Sequence, residues 1–149
     1  MGPRELTDNT AVIVDGIRTP FVRAFQEFNG LDTMALGSLA VRALLRRTGV
    51  ADQIDAVIWG GVILPTTTPN TGREIVLETD LSPRVEAFTV TRACSSSLLA
   101  ITQAAAAIER GEFDVVIAGG SDSVSSAEVP LPQKLIRTMA PLVMNGKSG

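Results

Sequence analysis

The chain has no histidine and a single cysteine, Cys94, among its 149 residues. One cysteine excludes an intramolecular disulfide and any metal cage built from several thiolates. Without histidine, a reaction that needs an imidazole base must take it from outside the chain. No stretch approaches the ~20 consecutive apolar residues of a membrane span. Net charge is −3, and no run of like charges is longer than Arg46-Arg47. Phosphate recognition needs a clustered basic face, so no nucleic-acid partner is expected. The first ten residues, MGPRELTDNT, lack an apolar stretch and include Glu5 and Asp8. Residues 1–10 therefore read as a flexible N-terminus, neither a secretory signal nor an Arg-rich transit peptide, and the expected location is cytoplasmic.

What is present suits one globular domain: 45% of the residues are hydrophobic and 19% charged. Short apolar runs alternate with amphipathic stretches. Residues 11–14 (AVIV) form a compact β-type run that ends at Asp15-Gly16. Residues 31–48 predict a helix, with Asp32 as N-cap, apolar residues at helical spacing, Arg46 and Arg47 in the last turn and Gly49 as the stop. Residues 54–59 predict a strand closed by Gly60-Gly61, and a polar loop over 65–70 leads to a short helix at 73–79. A strand at 87–91, an alanine- and leucine-rich helix at 95–110 and a continuously apolar strand at 113–118 follow. Strands apolar throughout imply burial on both faces, so the order β-α-β-α-β-α-β predicts an α/β layered fold with a mostly parallel sheet covered by helices. Beyond Ser121 the periodicity decays, and Pro130, Pro132 and Pro141 interrupt it.

Cys94 falls between a buried strand and the first turn of a helix. Unpaired N–H groups and the helix dipole there favour negative charge, and a thiolate is the form that accepts an acyl group from a thioester. The backbone N–H of the same residue is placed to serve a developing oxyanion. Ser95, Ser96 and Ser97 are small and leave room above the sulfur. Position alone also allows the plainer possibility that Cys94 is a small buried hydrophobe.

Four segments carry a family resemblance. AVIVDGIRTPF (11–21) resembles the opening strand and turn of the thiolases, and FTVTRACSSSLLA (88–100) resembles their nucleophile motif. DVVIAGGSDSVSS (114–126) resembles the Gly-Gly strand end that follows, and PNTGREIVL (69–77) resembles the loop and helix that reach the dimer interface. The closest flavour is the fatty-acid β-oxidation branch, the thiolase subunit of the trifunctional complexes. ACSSSL also resembles the nucleophile of ketosynthase-like condensing enzymes, which share the fold. The Ile17–Phe21 opening and the early position of Cys94 favour thiolase. Serines stand where most thiolases have glycine, which bears on acyl specificity.

The resemblance implies one incomplete half of a duplicated thiolase fold. It assigns residues 11–128 to the N-terminal α/β domain and 129–149 to the start of an inserted, partly irregular loop region. It implies Cys94 as the nucleophile, Gly119 and Gly120 as the floor of the site, and Asn70 near a neighbouring subunit. It implies acyl-CoA and CoA as substrates with no cofactor, and a homodimer. The activating histidine and second cysteine belong to the other half, so the chain is expected to be inactive alone. It would then be a truncated gene product, one component of a split enzyme completed by a second chain, or a non-catalytic remnant. From local chemistry alone, Gly119-Gly120 reads as a tight strand-to-loop turn needing unrestricted φ, and Asn70 as an ordinary turn residue. Arg18 and Arg73 read as loop anchors, Met34, Met139 and Met144 as fillers of packing gaps, and Asp122 and Glu128 as solvated loop residues.

Overall fold

The computed structural model describes residues 10–128 and 130–145, with side chains up to Pro141. Three parallel strands make one sheet: β1 (Ala56–Gly60) lies in the centre, between β2 (Glu86–Val90) and β3 (Val116–Gly120). The register pairs Gly60 with both Val90 and Gly120, so all three strands end at one level. Asp55 sets that register at the other end. Its carboxylate accepts from the N–H groups of Asp114 and Val115 at 2.8 and 2.9 Å, and its carbonyl accepts from Glu86 N–H at 3.0 Å.

Helices cover both faces. Helices α1 (Thr33–Thr48) and α2 (Thr71–Glu78) close one side, where Val41, Leu45, Ile75 and Val76 pack on Val57, Trp59 and Ile117. Helix α3 (Ser96–Glu109) closes the other, with Ala100 and Ala104 against Ile58 and partly buried Phe88, Val90, Val116 and Ala118. Alternate residues along each strand thus face opposite helical layers, and β1 is buried throughout. Alanine on α3 lets the helix approach the sheet closely. Helix α1 has the predicted ends: the Asp32 carboxylate accepts from Ala35 N–H at 2.7 Å, and Gly49 closes it at φ 69°.

Three expectations need correction. Residues 11–14 do not form a strand; Val12, Ile13 and Val14 are 64, 82 and 89% exposed. A β-type run becomes a strand only when it hydrogen-bonds to a neighbouring one, and residues 11–14 pair with none of the three described strands. The last strand is displaced toward its glycines and contains Gly119 and Gly120 instead of stopping before them. Finally, the proline-interrupted stretch contains a helix, α4 (Gln133–Asn145), with Pro141 inside it. Its Leu135, Ile136 and Met139 are 41, 41 and 44% exposed, so Met139 fills no gap, while Met34 is half-buried. The flexible-terminus expectation for residues 1–9 and the Met144 side chain lie outside the described parts.

Candidate active site

The turn between β2 and α3 carries Cys94. Helix α3 begins at Ser96 with Ser95 as N-cap, so Cys94 lies just ahead of the helix and not in its first turn. Cys94 is exposed, which removes the buried-hydrophobe alternative. The backbone turns abruptly here: Ala93 has φ 46°, a left-handed conformation that disfavours any residue with a Cβ. Ser96 holds that turn. Its hydroxyl accepts from Arg92 N–H at 2.8 Å and donates to the Ala93 carbonyl at 2.7 Å, and the residue is only 4% exposed. Ser95 N–H and Ser96 N–H donate back to the carbonyls of Arg92 and Ala93 at 3.0 and 3.1 Å.

The turn rests directly on the sheet. A Cβ at Gly60 would lie 2.5 Å from the Ser96 carbonyl carbon and 2.6 Å from Ser97 N. One at Gly120 would overlap the Ser97 hydroxyl and approach the Gly60 carbonyl to 2.6 Å. One at Gly119 would lie 2.7 Å from the Trp59 ring. Gly119 and Gly120 are therefore required by close approach. The expectation of a φ-demanding turn is wrong, since the described glycines with positive φ are Gly49 and Gly111.

Gly119, Gly120 and Ser97 line a cleft of about 550 Å³ between residues 15–24 and the open side of β3; Cys94, Ser95, Ser96 and Asn70 do not line it. Asn70 lies in the loop before α2 and is tied to β2, the strand that leads to Cys94. It caps α2, its carboxamide oxygen accepting from Arg73 N–H at 3.2 Å and from the Thr89 hydroxyl at 3.1 Å, and its amide donates to the Ala87 carbonyl at 3.3 Å. It is thus a cap and cross-tie, which is more than a turn residue.

Two carboxylates read as solvated are bound. Asp122 accepts from Val62 N–H and Ile63 N–H at 2.9 and 2.6 Å, and Glu128 accepts from the Thr66 N–H and hydroxyl at 3.0 and 2.9 Å. Together they tie the loop after β1 to the segment after β3. Arg73 anchors the 83–85 turn as expected, donating to the carbonyls of Val85 and Pro83 at 2.9 and 2.7 Å. Arg18 donates to the carbonyl of its neighbour Thr19 and lies over the Phe21 ring. Among the described residues no group of three or more Asp, Glu or Cys side chains is arranged to hold a metal ion.

A parallel α/β sheet that presents an exposed thiol at a strand-to-helix turn suits acyl transfer through a covalent thioester. The N-terminal domain model of the thiolases matches residues 11–145, and the chain belongs to the thiolase family. It is 39% identical over 129 residues to the 3-ketoacyl-CoA thiolases of Yersinia pestis (strain Pestoides F) and Yersinia pseudotuberculosis serotype O:1b (strain IP 31758), covering 86% of this chain. The chain spans about 30% of the length of those curated relatives. Solved structures agree. The acetyl-CoA acetyltransferase of Bacillus anthracis aligns with a TM-score of 0.69 at 32% identity, covering 72% of this chain and 28% of that one. The Acat5 thiolase from Ascaris suum in complex with coenzyme A aligns with a TM-score of 0.75 at 28% identity, covering 78% and 31%.

Sequence inspection missed the left-handed Ala93, the Ser96 clamp and the contact at Gly60. Alanine carries no signal for positive φ, and a serine at a helix start ordinarily suggests a cap. Gly60 was visible only as the end of a strand.

Proposed function

We propose that this chain carries the acyl-accepting half of a thiolase acting on CoA thioesters. The observation that carries the reading is the exposed Cys94 at the strand-to-helix turn, within a segment that matches the thiolase N-terminal domain. In the proposed step the Cys94 thiolate attacks the thioester carbonyl carbon. A new C–S bond forms, the bond to the CoA sulfur breaks, and CoA leaves as a thiolate that takes a proton from solvent. The Cys94 N–H is the proposed oxyanion donor, and Ser95, Gly119 and Gly120 the surroundings of the acyl group.

The likeness to 3-ketoacyl-CoA thiolases supports thiolytic cleavage of a 3-oxoacyl-CoA, or the reverse Claisen condensation, as the whole assembly's reaction, with fatty-acid β-oxidation as its setting. A homodimer, a histidine and second cysteine supplied from outside these 149 residues, and a cytoplasmic location complete the reading. No helix among the described residues is long and apolar enough to cross a membrane.

With no histidine among these 149 residues, the nucleophile lacks a resident imidazole base, so sustained turnover needs a base from outside them. Mixing the 149-residue chain with acetyl-CoA at mildly alkaline pH should add one acetyl group, seen by intact-mass spectrometry. Cys94→Ala should add none. Absence of the adduct on the unsubstituted chain would overturn the reading, and steady thiolysis of acetoacetyl-CoA by this chain alone would overturn the need for a base from outside it.

A further inference from the structure

We propose that Ser96 is the positioning residue for Cys94, holding the thiol and its N–H in the geometry that thioester attack requires. The inference rests on the reading of Cys94 as the acyl acceptor. Ser96 touches no substrate atom in this role and acts through the backbone.

Three observations converge on it. First, its hydroxyl bridges the Thr91–Arg92 and Ala93–Cys94 peptide units, accepting from Arg92 N–H and donating to the Ala93 carbonyl. Second, those bonds span the one residue of the turn whose φ is unfavourable, Ala93 at 46°. A left-handed alanine costs roughly 1–2 kcal/mol, so the backbone keeps this conformation only where its surroundings over-determine it. Third, the main chain of Ser96 sits on β1: a Cβ at Gly60 would lie 2.6 Å from its carbonyl oxygen. Side chain and main chain of one residue thus fix the Cys94 turn to itself and to the sheet.

Burial gives the clamp its strength. At 4% exposure the Ser96 hydroxyl has little access to water. Removing it, as in Ser96→Ala, leaves the Arg92 N–H and Ala93 carbonyl to find other partners. The Cys94 peptide, free to rotate with them, would then point its N–H and sulfur less reproducibly. Simple alkylation needs only an accessible thiolate. Attack on a thioester also needs the carbonyl oxygen aligned with a donor, so it is the more demanding of the two reactions.

The test compares these reactions on the full chain. Acetylation by acetyl-CoA is followed by intact mass and alkylation by iodoacetamide is timed in parallel, for the unsubstituted chain, Ser96→Ala, Ala93→Gly and the double variant. In Ser96→Ala, acetylation is expected to slow at least ~10-fold while alkylation stays within about 3-fold. In Ala93→Gly, where glycine accepts the left-handed φ and the clamp is intact, both rates stay within about 3-fold. If Ser96→Ala alone does not fold, the double variant, relieved of the alanine strain, carries the same comparison. Equal slowing of both reactions, or none, would overturn the positioning role while leaving Cys94 the acceptor. No acetylation of the unsubstituted chain would remove both readings.

Discussion

A methyl group on Gly60 would sit 2.5 Å from backbone atoms of Ser96, closer than any carbon can approach. The cost of Gly60→Ala is therefore steric, because helix α3 has to lift off the end of β1. Overpacking of this kind costs typically ~1–3 kcal/mol. Gly60→Ala should lower the unfolding free energy by that amount and slow acetylation of Cys94, whereas Gly16→Ala, with open space around it, should do neither. Urea titration of the two variants checks it. Gly49 differs again, being needed for its left-handed φ of 69° at the end of α1. Sequence shows three similar glycines; only the packing tells one requirement from another. The Cys94 position was legible because a thiol between an apolar strand and a small-residue helix start is a local pattern. The Ser96 clamp was not, because its meaning depends on an alanine conformation that no neighbouring residue announces.

Among the elements, Asp55 illustrates how one side chain begins a sheet. Its carboxylate accepts the first two N–H groups ahead of β3, and its own main chain joins β1 to both neighbours. Removing it strands two donors at the mouth of the sheet, each worth about 1 kcal/mol in a partly exposed setting. Asp55→Ala should therefore destabilise by about 2 kcal/mol, with hydrogen exchange accelerated at residues 114–118 before it is at 86–90. Uniform acceleration across both strands would count against this role. The helices α1, α2 and α3 and the three strands were legible to within a few residues, since their periodicity and stop signals are local. Residues 11–14 have the same composition as a strand but pair with none of the described strands, although the outer edge of β3 is open.

Over the whole molecule, an ion pair ties the segment around Asp15 to helix α1. Asp15 accepts from Arg47 on α1, and Arg47 also donates to the Gly16 carbonyl. The Gly16 N–H and then the Arg47 guanidinium hold the Asp15 carboxyl below its ordinary 3.8. A lowered folded pKa means the tie is present above the unfolded value and is lost as pH falls through the folded one. Limited proteolysis within residues 15–24 should accordingly quicken below about pH 4, and Arg47→Met should produce that quickening at neutral pH. The outer edge of β3 has no strand beside it among the described residues, and Leu98 and Ile101 on α3 are 61 and 39% exposed. Open edges and exposed apolar side chains favour association. Sedimentation at increasing concentration should show a dimer, and a monomer at the highest concentration would contradict the proposed assembly.

By itself the sequence determined the α/β class, the caps of α1, the family and the place of the thiol, because each is written in residues close together in the chain. It also determined that none of these 149 residues can offer an imidazole to Cys94. Only the tertiary structure decided that residues 11–14 remain outside the sheet, that Asp122 and Glu128 bind loops, and that Gly60 and Ser96 seat the cysteine turn. Those outcomes depend on backbone atoms brought together from distant positions, and distance along the chain carries no record of distance in space.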